Sequence, residues 1–380
     1  MANAFLFAGN PARNPTLFHQ TRFMVGDPCG LIVLSTGERV LMIRDIEAAR
    51  ARLHAKADRV VIPNDYAPPS GPSGDREVAT AEGIAEFLRR EGIKRVACDR
   101  TLALIYADAL RRAGVAYEYD ADLGSAQRRR KDEREVEAIR AAQADTQAAV
   151  QAACETIARA TAGPGGVLIS QGQPLTAQRV RAMIDVLLSG RGYNNPKSIV
   201  ACGAQGADCH NYGDGDLVTG QPVIIDVFPQ SKDTHYQGDC TRTVVHGQAT
   251  PELRKMHEAV VVAKAAAAAG LRAGTSGHVV HSLTITSLAH AGYTRAIPGP
   301  DTPHEFVSLQ HGTGHGLGLE GHEPPLLDDR GVDLVEGDVV TIEPGLYSKA
   351  FGGVRVEDTY LVTKQGSVNL GGMYEGLDWK

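Results

Sequence analysis

The chain has 380 residues, 43% hydrophobic and 22% charged, enough for two domains with sizeable cores. Its formal charge of −6, with no basic face standing out, argues against nucleic acid as the main partner. Scattered cysteines without a CxxC pair, no basic segment before the apolar run of MANAFLFAGN, and an apolar stretch (259–270) too short for a bilayer point to a cytoplasmic chain with free thiols and no membrane partner.

Residues 1–125 alternate strand and helix patterns. GLIVLS and RVLMIR read as strands around the turn TGE. IEAARARLHAKA and EVATAEGIAEFLRREG read as helices, the second stopped by Gly92. KRVACD, LALIYADALRRAG and VAYEYD complete a strand–helix–strand unit, and PNDYAPPSGPSGD (63–75) reads as a loop. The pattern predicts a small α/β domain without a chemical motif.

The basic run QRRRKDER (127–134) reads as a linker running into a solvated helix start, so a second domain is expected over 126–380. A long helix follows, with Val136, Ile139, Gln143, Val150, Ala153 and Ile157 near one face. The rest of this domain states one pattern twice. TGQPVIIDV resembles VEGDVVTIEP: a glycine, a polar residue, an apolar strand, then Asp226 or Glu343. Each is followed by a second strand, QGDCTRTVV with Asp239 and GVRVEDTYLVT with Glu357. Two helical segments precede each half, about 131–161 and 174–191, then 251–270 and 276–291, with Thr250 and Pro251 as a start signal. An internally duplicated α/β unit with approximate two-fold symmetry is the expected architecture.

Strands such as VIID and VTIE should be wholly apolar if they only build a core, because an unpaired buried carboxylate is very costly. Symmetry would bring both acid pairs to one centre, where like charges repel unless something positive lies between them. A pair of divalent cations resolves this, with one imidazole completing the set. HGTGHGLGLEGHE (311–323) supplies candidate rings on a glycine-rich backbone that permits close approach.

On IIDV, YQGDCTRT, HGTGHGLGLEGHEPP, TIEPGLY and VRVEDT, the chain over roughly 130–380 resembles the pita-bread metallopeptidases: methionine aminopeptidase, aminopeptidase P and prolidase. The resemblance implies an α+β chain whose C-terminal pita-bread fold is an internally duplicated, curved antiparallel sheet covered by helices. A smaller N-terminal α/β creatinase-like domain precedes it. It implies Asp226, Asp239, His315, Glu343 and Glu357 as ligands of two divalent ions, Asp239 and Glu357 bridging, with manganese first among manganese, cobalt, zinc and iron. The loop FPQSKDTHYQG between the first two acids is two residues longer than the family's usual spacing.

His210, His311 and His322 match residues that touch substrate or assist proton movement, with His322 steadying the oxyanion and Glu343 shuttling a proton. Tyr236 matches a tyrosine near the metals. Arg355, two residues before Glu357 and so on the same face of a strand, is expected to orient that carboxylate or contact substrate, and Arg330 is a candidate for gripping a substrate carboxylate. The N-terminal domain favours the prolidase and aminopeptidase P branch: hydrolysis of Xaa–Pro bonds by metal-activated water, of dipeptides first and longer peptides as the alternative. A homodimer is the implied assembly. A metal-free creatinase-like hydrolase and a non-enzymatic protein-binding module are rivals on the same fold, and both are disfavoured by the complete ligand set.

Overall fold

In the computed structural model, which describes residues 4–380, the chain divides into two units, Met1–Arg128 and Arg129–Lys380. The first is built on a six-stranded mixed sheet of β1 (Ala4–Gly9), β2 (Cys29–Leu34), β3 (Arg39–Met42), β4 (Arg59–Val61), β5 (Arg95–Cys98) and β6 (Ala116–Tyr119), ordered β4-β3-β2-β1-β5-β6. Its helices are α1 (Pro15–Thr21), α2 (Asp45–His54), α3 (Arg76–Arg90) and α4 (Leu104–Arg112). Successive strand residues point to opposite faces. Leu6 and Ile32 therefore pack with Ile84 and Leu88 of α3 and Leu110 of α4, while Phe7 and Leu31 pack with Leu17 of α1 and Ala48 of α2.

Three elements here were not anticipated: β1, which is central and pairs with both β2 and β5, the edge strand β4, and α1. The signal for α1 is the pair Asn14–Pro15, since the Asn14 side chain caps the helix by accepting from the Leu17 N–H at 2.9 Å.

The second unit opens with α5 (Glu133–Ala158), started by a reciprocal capping box between Asp132 and Glu135. With α6 (Ala177–Gly190) it packs on β7 (Ile199–Cys202), β8 (Pro222–Val227) and β9 (Cys240–Val245), an antiparallel ladder in that order. The grammar then repeats. α7 (Pro251–Gly270), capped by Thr250, and α8 (Gly277–His290) precede a second antiparallel ladder. Its strands are β10 (Gly314–Gly316), β11 (Glu323–Leu327) and β12 (Val339–Ile342), a hairpin of β13 (Gly345–Ser348) and β14 (Gly352–Arg355) follows, and β15 (Asp358–Val362) and β16 (Ser367–Asn369) complete it in the order β11-β10-β12-β15-β16. Val280 of α8 packs with Val340 and Ile342 of β12, as Ile184 of α6 packs with Val223 and Ile225 of β8.

GVRVEDTYLVT is not one strand. β14 pairs with β13, β15 pairs with β12, and the chain changes partner between Arg355 and Asp358. At the switch the Glu357 N–H donates to the Thr241 carbonyl of the first half at 3.0 Å, so Glu357 stands where the halves meet. No helix among the described residues is long and apolar enough to cross a membrane.

Candidate metal centre

Asp226 lies on β8 opposite Thr241 of β9. Asp239, just before β9, is held through its backbone: Gln143 of α5 donates to its carbonyl at 2.8 Å and accepts from its N–H at 2.9 Å. Glu343 follows β12 directly, and Glu357 Oε2 accepts from the Thr241 hydroxyl at 2.8 Å. Asp226, Asp239 and Glu357 are buried. Donor atoms of Asp239, His315 and Glu357 lie within 4.8 Å of one another, and Glu343 Oε1 is 3.2 Å from His315 Nε2. Asp226 Oδ1 and Glu357 Oε1 are buried with no hydrogen-bond partner among the described residues. Orphaned carboxylate oxygens facing like charges are what a divalent cation relieves, so the donor set fits such ions.

The glycines of the histidine loop have a structural reason. A Cβ on Gly314 would stand 2.0 Å from the Thr341 carbonyl oxygen, and one on Gly316 2.5 Å from that of Glu323. Only glycine lets β10 wedge between β11 and β12 and deliver His315. His315 Nδ1 lies 3.1 Å from the Gly316 carbonyl oxygen, which can only accept. The neutral ring therefore carries its proton on Nδ1 and keeps the Nε2 lone pair toward Asp239 and Glu343.

Arg355 is engaged on every side. It donates to Asp226 Oδ2 at 2.6 Å, to the Tyr347 hydroxyl at 2.9 Å, to the Cys209 carbonyl at 3.2 Å and to the Thr241 hydroxyl at 3.3 Å. The carboxylate it orients is thus Asp226 and not the expected Glu357, because the change of partner after Arg355 ends the strand on which the two would have shared a face. Tyr347 in turn lies 2.7 Å from His311 Nε2, while His311 Nδ1 lies 2.8 Å from the Gly312 carbonyl oxygen. Burial pushes the His311 imidazole down to about 4, so at neutral pH it accepts from Tyr347 and donates to Gly312.

These groups open onto a cavity of about 540 Å³, lined by Asp226, Asp239, His315, Glu343 and Arg355, with His210, His311 and His322. His322 is exposed and stacks on His315, ring centroids 3.9 Å apart. Two expected residues lie outside the lining. Arg330 is exposed beyond it, and Tyr236 is buried with its hydroxyl donating to Glu135 of α5. Sequence reasoning missed Tyr347, Thr241 and Gln143. Thr241 could have been found by alternation, because it sits two residues beyond Asp239.

Burial, then the charges of neighbouring acids, raises Asp239 and Glu357 well above the carboxylate range. Burial opposes the charge on His315, but the hydrogen bond and charge of Glu343 outweigh it and raise His315. For Glu343 burial acts upward, and His315 brings it below its ordinary value. A group raised on folding stabilises the protein below its unfolded value and loses that contribution as pH rises through the folded one. Asp239, Glu357 and His315 act in that direction and Glu343 opposes them. The metal-free protein is therefore expected to lose stability from pH 5 to 8, and added divalent metal to restore more at pH 8 than at pH 5. Melting temperatures of chelated and metal-loaded protein across that range check this; a metal increment independent of pH would contradict it.

The model of metallopeptidase family M24 matches residues 137–364. The Xaa-Pro dipeptidase of Pyrococcus horikoshii is 30% identical over 292 residues, covering 75% of this chain and 75% of that protein. The crystal structure of the prolidase from Pyrococcus horikoshii OT3 superposes with a TM-score of 0.78 at 25% identity, covering 99% of this chain and 95% of that one. The X-Pro aminopeptidase from Thermotoga maritima shares the fold, with a TM-score of 0.80 at 22% identity over 99% of this chain and 97% of that one. These full-length matches establish the expected α+β architecture, an N-terminal α/β sheet followed by a pita-bread region. Four carboxylates and one imidazole at the centre of that region accord with a hydrolase of this kind, and the chain belongs to metallopeptidase family M24, in its Xaa-Pro dipeptidase and aminopeptidase P branch.

Proposed function

We propose that this metallopeptidase hydrolyses the bond between an N-terminal residue and proline, with Asp226, Asp239, His315, Glu343 and Glu357 holding two divalent ions, manganese foremost. The observation that carries the reading is the convergence of Asp226, Asp239, Glu343 and His315 on one cavity, with donor atoms of Glu357, Asp239 and His315 within 4.8 Å of one another, in a chain 30% identical to an Xaa-Pro dipeptidase. When bound, such ions supply Lewis acidity and bring the pKa of water toward neutrality.

The chain's own residues supply the rest. Arg355 fixes the Asp226 carboxylate, and Gln143 fixes the Asp239 backbone. Glu343, beside His315 and open to the cavity, is placed to take a proton from the attacking water and pass it to the departing proline nitrogen. Burial, then the neighbouring His315, lowers the His322 imidazole below its usual value, so it works as a neutral donor toward the developing oxyanion.

Substrate choice follows from the bond. An Xaa–Pro linkage is a tertiary amide without N–H, so a site built for it need not offer an acceptor there. Xaa–Pro peptides with a trans bond are expected to be cleaved, matching Xaa–Ala peptides to be much poorer, and acetylation of the substrate amine to abolish turnover. Steady-state kinetics on the three series decide it, and efficient cleavage of acetylated or proline-free peptides would contradict the assignment.

A further inference from the structure

The wall of the cavity beside His315 is apolar and then acidic. His315 on β10 pairs directly with Leu326 on β11, so their side chains stand on the same face. Leu326 is 48% exposed and lines the cavity, as does Asp328 just past the strand end. A Cβ on Gly312 would stand 3.2 Å from Asp328 Cβ, which places Asp328 against the backbone next to His311. Asp328 Oδ1 accepts from the Arg330 backbone N–H at 2.9 Å, a neutral donor, and no lysine or arginine pairs with this carboxylate among the described residues.

Among the described residues lining the cavity, Arg355 is the only arginine or lysine, and its guanidinium is held by Asp226, Tyr347, Thr241 and the Cys209 carbonyl. With the substrate amine and scissile carbonyl at the cluster of acids, the far side of the proline falls against the remaining walls. A dipeptide places a carboxylate there, giving up solvation beside leucine and meeting the field of Asp328. A longer peptide places a neutral amide there, whose N–H Asp328 can accept.

We infer that the Leu326–Asp328 wall makes the site select peptides in which a further residue follows the proline, over Xaa-Pro dipeptides. This rests on the Xaa–Pro reading above, and it reverses the dipeptide preference expected from sequence.

The test is kcat/KM of the metal-loaded, full-length protein for Ala-Pro, Ala-Pro-amide, Ala-Pro-Ala, Ala-Pro-Lys and Ala-Pro-Glu. The amide and Ala-Pro-Ala are expected to exceed the dipeptide by roughly tenfold or more, the scale of one close charge interaction at moderate dielectric, and Ala-Pro-Lys to exceed Ala-Pro-Glu. Raising the salt concentration should shrink these ratios. Asp328→Asn and Leu326→Arg, acting through different side chains, should each raise dipeptide hydrolysis relative to the amide. A dipeptide cleaved as well as its amide by the unaltered protein would overturn the inference alone. Failure to cleave any of the five would overturn the Xaa–Pro reading and the inference with it.

Discussion

Replacing Asp239 by alanine is expected to abolish hydrolysis and metal retention together while leaving the metal-free protein at least as stable at neutral pH. The two outcomes have one cause. Asp239 is buried, and burial followed by the charges of Glu357, Asp226 and Glu343 disfavours its ionised form, so in the absence of metal the side chain is a liability. Its place is fixed by Gln143 through the backbone alone, and those bonds survive truncation to alanine. With metal the balance would invert, because Asp239 belongs to the donor set that would hold the ions. The loss of activity should exceed the roughly 10–100-fold typical of substitutions outside the ligand set. Glu357→Ala should behave likewise, though it also leaves the Thr241 hydroxyl without its acceptor, which tempers the gain in metal-free stability. Metal content by elemental analysis, melting temperature of chelated protein and kcat/KM measure the three consequences. Retained turnover at full metal occupancy in either variant would exclude that residue from the proposed ligand set.

What could be read from sequence depended on whether a residue was anomalous in its own neighbourhood. An acid at the end of an apolar strand is conspicuous, which is why Asp226 and Glu343 stand out before any fold is known. Rings on a run of glycines are conspicuous as well, and helices announced by Thr250–Pro251 or by the Asp132 capping box carry their start signals locally. Features created by pairing across long stretches of chain were hidden. Tyr347 is an ordinary aromatic until the sheet sets its hydroxyl between Arg355 and His311. The break between β14 and β15 cannot be seen in an uninterrupted strand pattern, because only the change of partner produces it. Arg330 illustrates the converse: its residue type suggested carboxylate binding, but the turn after β11 leaves it exposed and turns Asp328 to the cavity instead. The apolar run of β1 carries no local signal beyond its composition, which suits a strand largely covered on both faces.

The two stacked histidines should separate metal binding from turnover. His315→Ala removes the Nε2 lone pair that the Gly316 carbonyl aims at Asp239 and Glu343, so metal occupancy and activity should fall together. His322 is different in kind. It lies exposed over the His315 ring, lines the cavity, and is neutral at physiological pH, which suits it to donate one hydrogen bond to a developing negative charge. His322→Ala should therefore keep its metal and lose roughly 10²–10³ in kcat, the loss seen when a single oxyanion donor is removed. A donor that acts only in the transition state lowers kcat and kcat/KM by the same factor, whereas one that also binds the ground state raises KM. Elemental analysis beside steady-state kinetics reads both quantities on each variant. Equal metal loss in the two would move the ligand role onto the pair, and a His322→Ala protein with undiminished kcat would remove that ring from the chemistry altogether.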